Sequence, residues 1–95
     1  MAWIPTSSAL GDLDRISAEG AIQYGYVQSE FYERKLVDML DTLAGSPYLA
    51  AERQASSMSV RPMPCGAHHI LYVIENEDIV ILRVLHGLQN WFDLL

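Results

Sequence analysis

The segment HHILYVIENEDIVILRVL, residues 68–85, decides the fold of this chain. Two runs rich in β-branched and aromatic residues, 68–74 and 79–85, flank the polar stretch ENED at 75–78. Such a pattern is typical of a β-hairpin, and Asn76 tolerates the positive φ that a two-residue turn needs. We therefore expect Asn76 and Glu77 to form the turn, with Glu75 paired to Asp78.

This register divides the side chains of the hairpin between two unlike faces, because successive residues of a strand point to opposite sides. It gives the following further pairs: Val73 with Val80, Leu71 with Leu82, and His69 with Val84. These pairs make one face aliphatic, and we expect helices to cover it. The opposite face carries His68, Ile70, Tyr72, Ile74, Ile79, Ile81, Arg83 and Leu85. Its histidine, tyrosine and arginine indicate a surface that is left open to another protein.

The first half of the chain predicts two helices joined at Gly25. Apolar residues recur at helical spacing from a cap at Ser7 or Ser8 to about Tyr24, and again from about Tyr26 to Ala44. A glycine is a common helix stop, and so short a turn produces a pair of antiparallel helices. Gly20, inside the first helix, either allows close approach of a neighbouring helix or is simply tolerated.

The remaining segments complete an α+β fold of the order β-α-α-β-β-β. Trp3 and Ile4 indicate a brief first strand, and Met58 to Met63 a weak one beside Pro62 and Pro64. The last residues have apolar side chains at helical spacing, which predicts a short C-terminal helix or tail. We expect a single domain over residues 1–95, in which a helical hairpin packs on a small antiparallel sheet.

Composition excludes several classes of function. Acidic residues outnumber basic ones twelve to six, and the net charge of −6 disfavours a protein that grips phosphate backbones. No stretch is long and apolar enough to cross a membrane, and the single cysteine, Cys65, indicates a reduced cytoplasm. His68 and His69 point to opposite faces of a strand, so they predict no metal site, and we expect no cofactor.

The order of elements and several motifs resemble the RelE/ParE superfamily of toxins from type II toxin–antitoxin systems, in particular its ParE branch. The resemblance covers nearly the whole chain and is strongest from Arg61 to Leu95. It is carried by the following segments: Ser8-Ala9-Leu10-Gly11-Asp12-Leu13 with Ile16, Tyr24-Gly25, Gln28 with Phe31 and Tyr32, Leu43-Ala44 with Pro47, and Arg83-Val84-Leu85-His86-Gly87. The chain departs from the pattern at Ala67, Val73 and Gln89, where ParE-like chains commonly carry arginine.

The resemblance implies a toxin that inhibits DNA gyrase by direct binding and that is neutralised by a ParD-like antitoxin in a hetero-oligomeric complex. This is a binding function, so no catalytic residues are expected. The residues expected to bind the target are Arg61, Arg83, Trp91 and Phe92. Those expected to bind the antitoxin are Val27, Phe31, Arg34, Tyr72 and Arg83. The lost arginines argue against specific binding of nucleic acid.

Other interpretations stay open at this point. RelE-like relatives are ribosome-dependent mRNA endonucleases, and such an activity here would use His68, Tyr72 and Arg83. A third possibility is an attenuated toxin that only binds its antitoxin. Arg83 also has a structural interpretation, as the partner of a carboxylate such as Glu75 or Asp93. Val27 and Phe31 are either isolated surface residues or the edge of a groove for the antitoxin.

Overall fold

The computed structural model describes residues 1–87, which form one helical segment and one sheet. In chain order the elements are β1 (Trp3–Pro5), α1 (Ser7–Gly45), β2 (Arg53–Gln54), β3 (Ser59–Cys65), β4 (His68–Glu75) and β5 (Asp78–His86). The α+β class is confirmed. The sheet has the order β1-β5-β4-β3-β2 and is mixed rather than antiparallel, because β1 runs parallel to β5. The expected C-terminal helix or tail lies outside the described residues.

The helical hairpin forms as the sequence predicts, because α1 breaks at Gly25, whose φ is 84°. The break divides α1 into arm 1 (residues 7–24) and arm 2 (residues 26–45). The arms pack side by side, and the Ser29 hydroxyl donates a 2.8 Å hydrogen bond to the carbonyl of Ser17. A Cβ on Gly20 would lie 3.0 Å from the Ser29 Oγ, so this glycine allows the two arms to approach closely. No helix within residues 1–87 is long and apolar enough to span a membrane.

The first helical turn is capped by Thr6 rather than by Ser7 or Ser8. Its Oγ1 accepts a hydrogen bond from the Ala9 amide at 3.1 Å and donates one to the Leu82 carbonyl at 2.8 Å. A single side chain therefore satisfies an amide at the start of arm 1 and also ties this arm to β5.

The β-hairpin turn is at Asn76 and Glu77, as the sequence predicts. Their φ values of 51° and 69° are those of a two-residue type I′ turn. The register beside the turn matches the prediction, including the pairs Val73–Val80 and Glu75–Asp78.

Beyond Tyr72 the predicted register is wrong, because Leu82 is an extra residue in β5 that forms a β-bulge. Tyr72 pairs with Ile81, while Leu71 pairs with Arg83 instead of Leu82. His69 pairs with Leu85 instead of Val84.

The assignment of the two faces is also wrong, because Ile70, Tyr72, Ile79 and Ile81 of the mixed face lie in the core with residues of α1. The bulge brings Val84, rather than Arg83 or Leu85, to the same side. Tyr72 is completely buried there. Its buried neighbours in the core are Ala9, Leu36, Leu40, Leu43, Ala50, Cys65, Ile70, Ile79, Ile81 and Val84. Both faces of the hairpin are rich in aliphatic residues, so alternation alone did not distinguish them. The polar groups of Tyr72 and Arg83 form hydrogen bonds within the protein, as described below.

Candidate functional site

The junction of arm 1 with β5 is built around the carboxylate of Asp12, whose side chain is 2% exposed. Its Oδ2 accepts hydrogen bonds from Arg83 Nε at 2.7 Å and from the Val84 amide at 3.0 Å. Its Oδ1 accepts from Nη2 of Arg83 at 2.9 Å and from Nη2 of Arg15 at 2.8 Å. Arg83 therefore does pair with a carboxylate, that of Asp12 rather than that of Glu75, while Asp93 lies outside the described residues.

At neutral pH the Asp12 carboxylate is negatively charged and the Arg83 guanidinium is positively charged. Burial by itself raises the pKa of Asp12, yet hydrogen bonds from Arg83, Val84 and Arg15 outweigh it and hold this pKa below its usual value. The bond to Asp12 in turn raises the pKa of Arg83. Arg83 is held by Asp12, and 28% of its side chain is exposed, so its contact with a target stays a prediction.

The hydroxyl of Tyr72 is hydrogen-bonded to backbone groups that are distant in the sequence. Its hydroxyl donates to the Pro47 carbonyl at 2.8 Å and accepts from the Ala50 amide at 3.3 Å. Burial raises the pKa of this phenol. The expected placement of Tyr72 on an open face is wrong, so its ring does not present a surface to an antitoxin or to RNA.

Arg61, which was expected to bind the target, forms polar contacts with the segment that follows α1. Its Nη1 donates to the Ala50 carbonyl at 2.7 Å, and its Nη2 lies 3.5 Å from the Glu52 carboxylate. The guanidinium also lies 5.0 Å from the centroid of the Tyr48 ring. These contacts give Arg61 a packing role, and contact with the target stays a prediction.

A cleft of about 180 Å³ lies between the helical hairpin and the ends of β4 and β5. The rings of His68 and His86 pack edge to face there, with their centroids 5.3 Å apart. The Tyr32 hydroxyl lies 2.6 Å from Nδ1 of His68. Burial, followed by the nearby His86, lowers the pKa of His68. Gly66 allows this packing, because a Cβ there would lie 2.7 Å from Tyr32. Sequence reasoning missed the pairing of His68 with Tyr32, because the two residues belong to different elements.

An adjoining cleft of about 410 Å³ brings His68 and His86 beside Arg83 and Arg15. Two of the three candidate nuclease residues therefore line one cleft, whereas the third, Tyr72, is buried in the core. Within residues 1–87, no three His, Cys, Asp or Glu side chains are placed to hold a metal ion.

The turn of the helical hairpin exposes five large apolar side chains, which we call the hairpin tip. They are Ile22 (85% exposed), Tyr24 (70%), Tyr26 (79%), Val27 (70%) and Phe31 (67%). Arg34 is also exposed and follows Phe31 by three residues on arm 2. Several large apolar side chains exposed in one region of a protein are typical of a binding site. Sequence reasoning identified Val27, Phe31 and Arg34 but missed the other three tip residues, because their helical positions looked like part of a core stripe or a turn.

A groove of about 570 Å³ runs between the two arms and is lined only by residues of α1; we call it the interarm groove. The small residues Ser17, Ala18, Ala21 and Ser29 contribute to its lining. So do three exposed carboxylates, on Asp14, Glu30 and Glu33, and two side chains of the hairpin tip, Ile22 and Tyr26. Trp91 and Phe92, the other residues expected to bind the target, lie outside the described residues.

Comparison with known proteins first defines the class of fold. A chain from the chromosomal ParDE TA system of P. aeruginosa superimposes with a TM-score of 0.78, over 90% of this chain and 95% of that one, at 20% sequence identity. The two chains therefore share a helical hairpin on a small sheet.

The sequence defines the family. The sequence model described as "ParE toxin of type II toxin-antitoxin system, parDE" matches residues 4–91, so the chain belongs to the ParE toxin family. Toxin ParE3 of Caulobacter vibrioides is 28% identical over 87 residues, which cover 92% of this chain and 87% of that protein.

Proposed function

We propose that this chain inhibits DNA gyrase by direct binding in the cytoplasm and that a ParD-like antitoxin neutralises it. The observation that carries the proposal is membership of the ParE toxin family over residues 4–91. The buried position of Tyr72 also supports a binding function, because the residues expected of a nuclease do not meet at one surface. Inhibition of gyrase would make the chain suited to plasmid stabilisation, where cells that lose the antitoxin stop dividing.

The antitoxin surface in this proposal is the exposed side of arm 2. Val27 and Phe31 are each about two-thirds exposed or more, and Arg34 adds a cation beside them. Burying two such side chains against a partner is favourable by about 1.5–3 kcal/mol each before the costs of association. These residues therefore suit the apolar anchors of a protein interface.

The target surface in this proposal includes Arg83. Its guanidinium is fixed by Asp12 but is still partly exposed, so it can present a positioned cation to a carboxylate of the target. Arg61, Trp91 and Phe92 complete the proposed target surface.

The experiment is a supercoiling assay with purified gyrase and plasmid DNA. We expect linear DNA that accumulates only when both gyrase and the toxin are present, and that disappears when the antitoxin is added first. The matched control replaces gyrase by topoisomerase I, which should be unaffected. Relaxation and supercoiling at normal rates with excess toxin, together with cleavage of mRNA on ribosomes, would overturn the proposal.

A second candidate function, ribosome-dependent cleavage of mRNA, is favoured by one observation. His68 and Arg83 line the same cleft as His86 and Arg15, so a histidine acid or base lies near two cations. If this cleft cleaves RNA, a His68→Gln, His86→Gln double variant should lose cleavage while still binding the antitoxin. If expression without antitoxin leaves growth unchanged and neither activity is detected, the chain is an attenuated toxin.

A further inference from the structure

We propose that the face of the sheet that points away from α1, which we call the free face, binds the chain's own C-terminal segment, residues 88–95, as a short amphipathic helix. Three observations carry this inference. They are the burial of two leucines that α1 does not cover, the place where the described residues end, and the apolar pattern of the segment. The docking requires neither gyrase nor an antitoxin, so it is tested separately from the proposed function.

The free face consists of the strand residues that alternate with those of the core. Ile70 and Tyr72 lie in the core with residues of α1, so Leu71 between them points to the other side of the central strand β4. His69 precedes Leu71 by two residues and is paired with Leu85, so both of these residues share that side.

Two leucines of the free face are shielded from solvent, although α1 lies on the opposite side of the sheet. Leu71 is 0% exposed and Leu85 is 1% exposed, and neither belongs to the cluster that packs with α1. Nδ1 of His69 is shielded as well. Within residues 1–87, α1 is the only helix or strand outside the sheet, so the cover of these side chains has to come from another segment.

The described residues end beside the two leucines. Gly87 follows Leu85 by two residues, and its amide donates a 2.7 Å hydrogen bond to the Ala67 carbonyl. A Cβ on Gly87 would lie 3.5 Å from Cε1 of His69, which belongs to the free face. The segment therefore begins against this face without a linker. A short tether gives an effective concentration of about the millimolar range, which favours the chain's own segment over a second copy or another protein.

The sequence of the segment is typical of a helix with one apolar side. Its apolar positions at i, i+3, i+4 and i+7 are Leu88, Trp91, Phe92 and Leu95. Polar side chains occupy three of the positions between them, namely Gln89, Asn90 and Asp93. The four apolar side chains form a stripe that can pack on the leucines of the free face, while the polar ones point to solvent.

The length of the segment matches the extent of the buried area. Eight residues of helix are about 12 Å long, which is roughly the rise of four strand residues. A helix that runs back from Gly87 along β5 therefore ends level with Arg83, the pairing partner of Leu71. Burial on the free face follows this limit, because Leu71 is buried whereas Val73 and Val80, nearer the turn, are only partly buried.

The docking has a consequence for the target surface, and this consequence rests on the proposed function. Because Arg83 is paired with Leu71, a segment that covers Leu71 also lies next to Arg83. An aromatic ring that packs on a sheet with one face keeps its other face in solvent. Trp91 and Phe92 therefore join Arg83 in a single target surface.

The test is nuclear magnetic resonance of the full-length toxin labelled with stable isotopes. We expect nuclear Overhauser effects between the ring protons of Trp91 or Phe92 and the methyl groups of Leu71 and Leu85. An isotope-filtered spectrum of a mixture of labelled and unlabelled toxin should lack these signals, because the contact lies within one chain. Signals in the filtered spectrum would assign the free face to a second copy, and the absence of any contact with the two leucines would overturn the docking.

A pair of matched variants locates the contact on the free face. In the background Trp3→Phe, which leaves Trp91 as the single tryptophan, acrylamide quenching measures the exposure of its ring. Leu71→Ser should raise the quenching constant about twofold or more, because the segment is released more often. Val73→Ser, further along the same face, should change it little. Circular dichroism should give the same helix content for both variants.

Equal quenching in the parent and in both variants would show that the segment does not pack on Leu71, and the docking would be overturned. If gyrase is still inhibited in that case, the proposed function stands without it. If the docking is found and gyrase is not inhibited, the docking stands and the proposed function falls.

Discussion

The base and the tip of the helical hairpin have opposite properties. At the base, arm 1 meets β5 through the buried Asp12 carboxylate, both of whose oxygens accept two hydrogen bonds. At the tip, five large apolar side chains are more than 65% exposed. Under the proposed function, stability and partner binding are located in separate parts of one helical segment, so substitutions should affect one property without the other.

The largest expected effect is on stability at the base. Asp12→Ala should lower the free energy of unfolding by about 3–5 kcal/mol, because it leaves the buried part of Arg83 and the Val84 amide without their acceptor. Urea denaturation measures this loss. A change below about 1 kcal/mol would show that water replaces the carboxylate and that the base is not the stable region.

A smaller loss of stability is expected midway along the hairpin. Gly20→Val should cost about 2 kcal/mol, because its Cβ would lie only 3.0 Å from the Ser29 hydroxyl that bonds to Ser17. The same urea titration measures it, with Gly11→Val as control, since a Cβ on Gly11 meets nothing within 4 Å. Equal losses for the two variants would mean that helix propensity, not close packing of the arms, sets the effect.

At the tip the comparison predicts an effect on binding without one on stability. Phe31→Asp should weaken antitoxin binding at least tenfold, or about 1.4 kcal/mol, because a charge must be desolvated in an apolar interface. Its free energy of unfolding should change by less than about 0.5 kcal/mol. Phe31→Leu is the control and should bind nearly as well as the wild type. Unchanged affinity of the aspartate variant would remove Phe31 from the interface.

The smallest expected effect is a pH dependence near His68. Burial and His86 lower the pKa of His68 below its unfolded value of 6.5, so the unfolded chain binds more protons. Stability should therefore fall as the pH drops from about 7 to 5, whereas the contribution of Asp12 is lost only in stronger acid. Comparing urea midpoints at the two pH values with those of His68→Gln isolates this effect. An equal pH dependence in the variant would assign it to other groups.

The local features of this fold could be predicted from the sequence. Asn76 lies between two β-branched runs, and Gly25 interrupts a continuous helical pattern, so both hairpins follow from residues that are adjacent in the chain. The cap was misplaced by one or two residues, because Thr6, Ser7 and Ser8 all have hydroxyl side chains that can accept the same bond.

The features that depend on distant residues could not be predicted. The partners of Tyr72 lie 22 and 25 residues away, and the partner of Arg83 lies 71 residues away. Without those partners, a phenol and a guanidinium on a strand look like marks of an open surface. The bulge at Leu82 also reversed the alternation of the side chains that follow it in β5, and no residue type in the hairpin indicates that a bulge is present. The exposed tip was only partly predicted because its apolar residues fit a helical core pattern.

The burial of Cys65 allows the local opening of the fold to be measured through the reactivity of its thiol. This thiol is the only one in the sequence, its residue is 4% exposed, and its sulfur lies 3.8 Å from the Lys35 carbonyl on arm 2. Burial also raises the pKa of the thiol, which slows its reaction with alkylating reagents. A reagent can reach the sulfur only after arm 2 separates from β3, so the rate of alkylation of the unmodified toxin reports how often the helical layer lifts from the sheet.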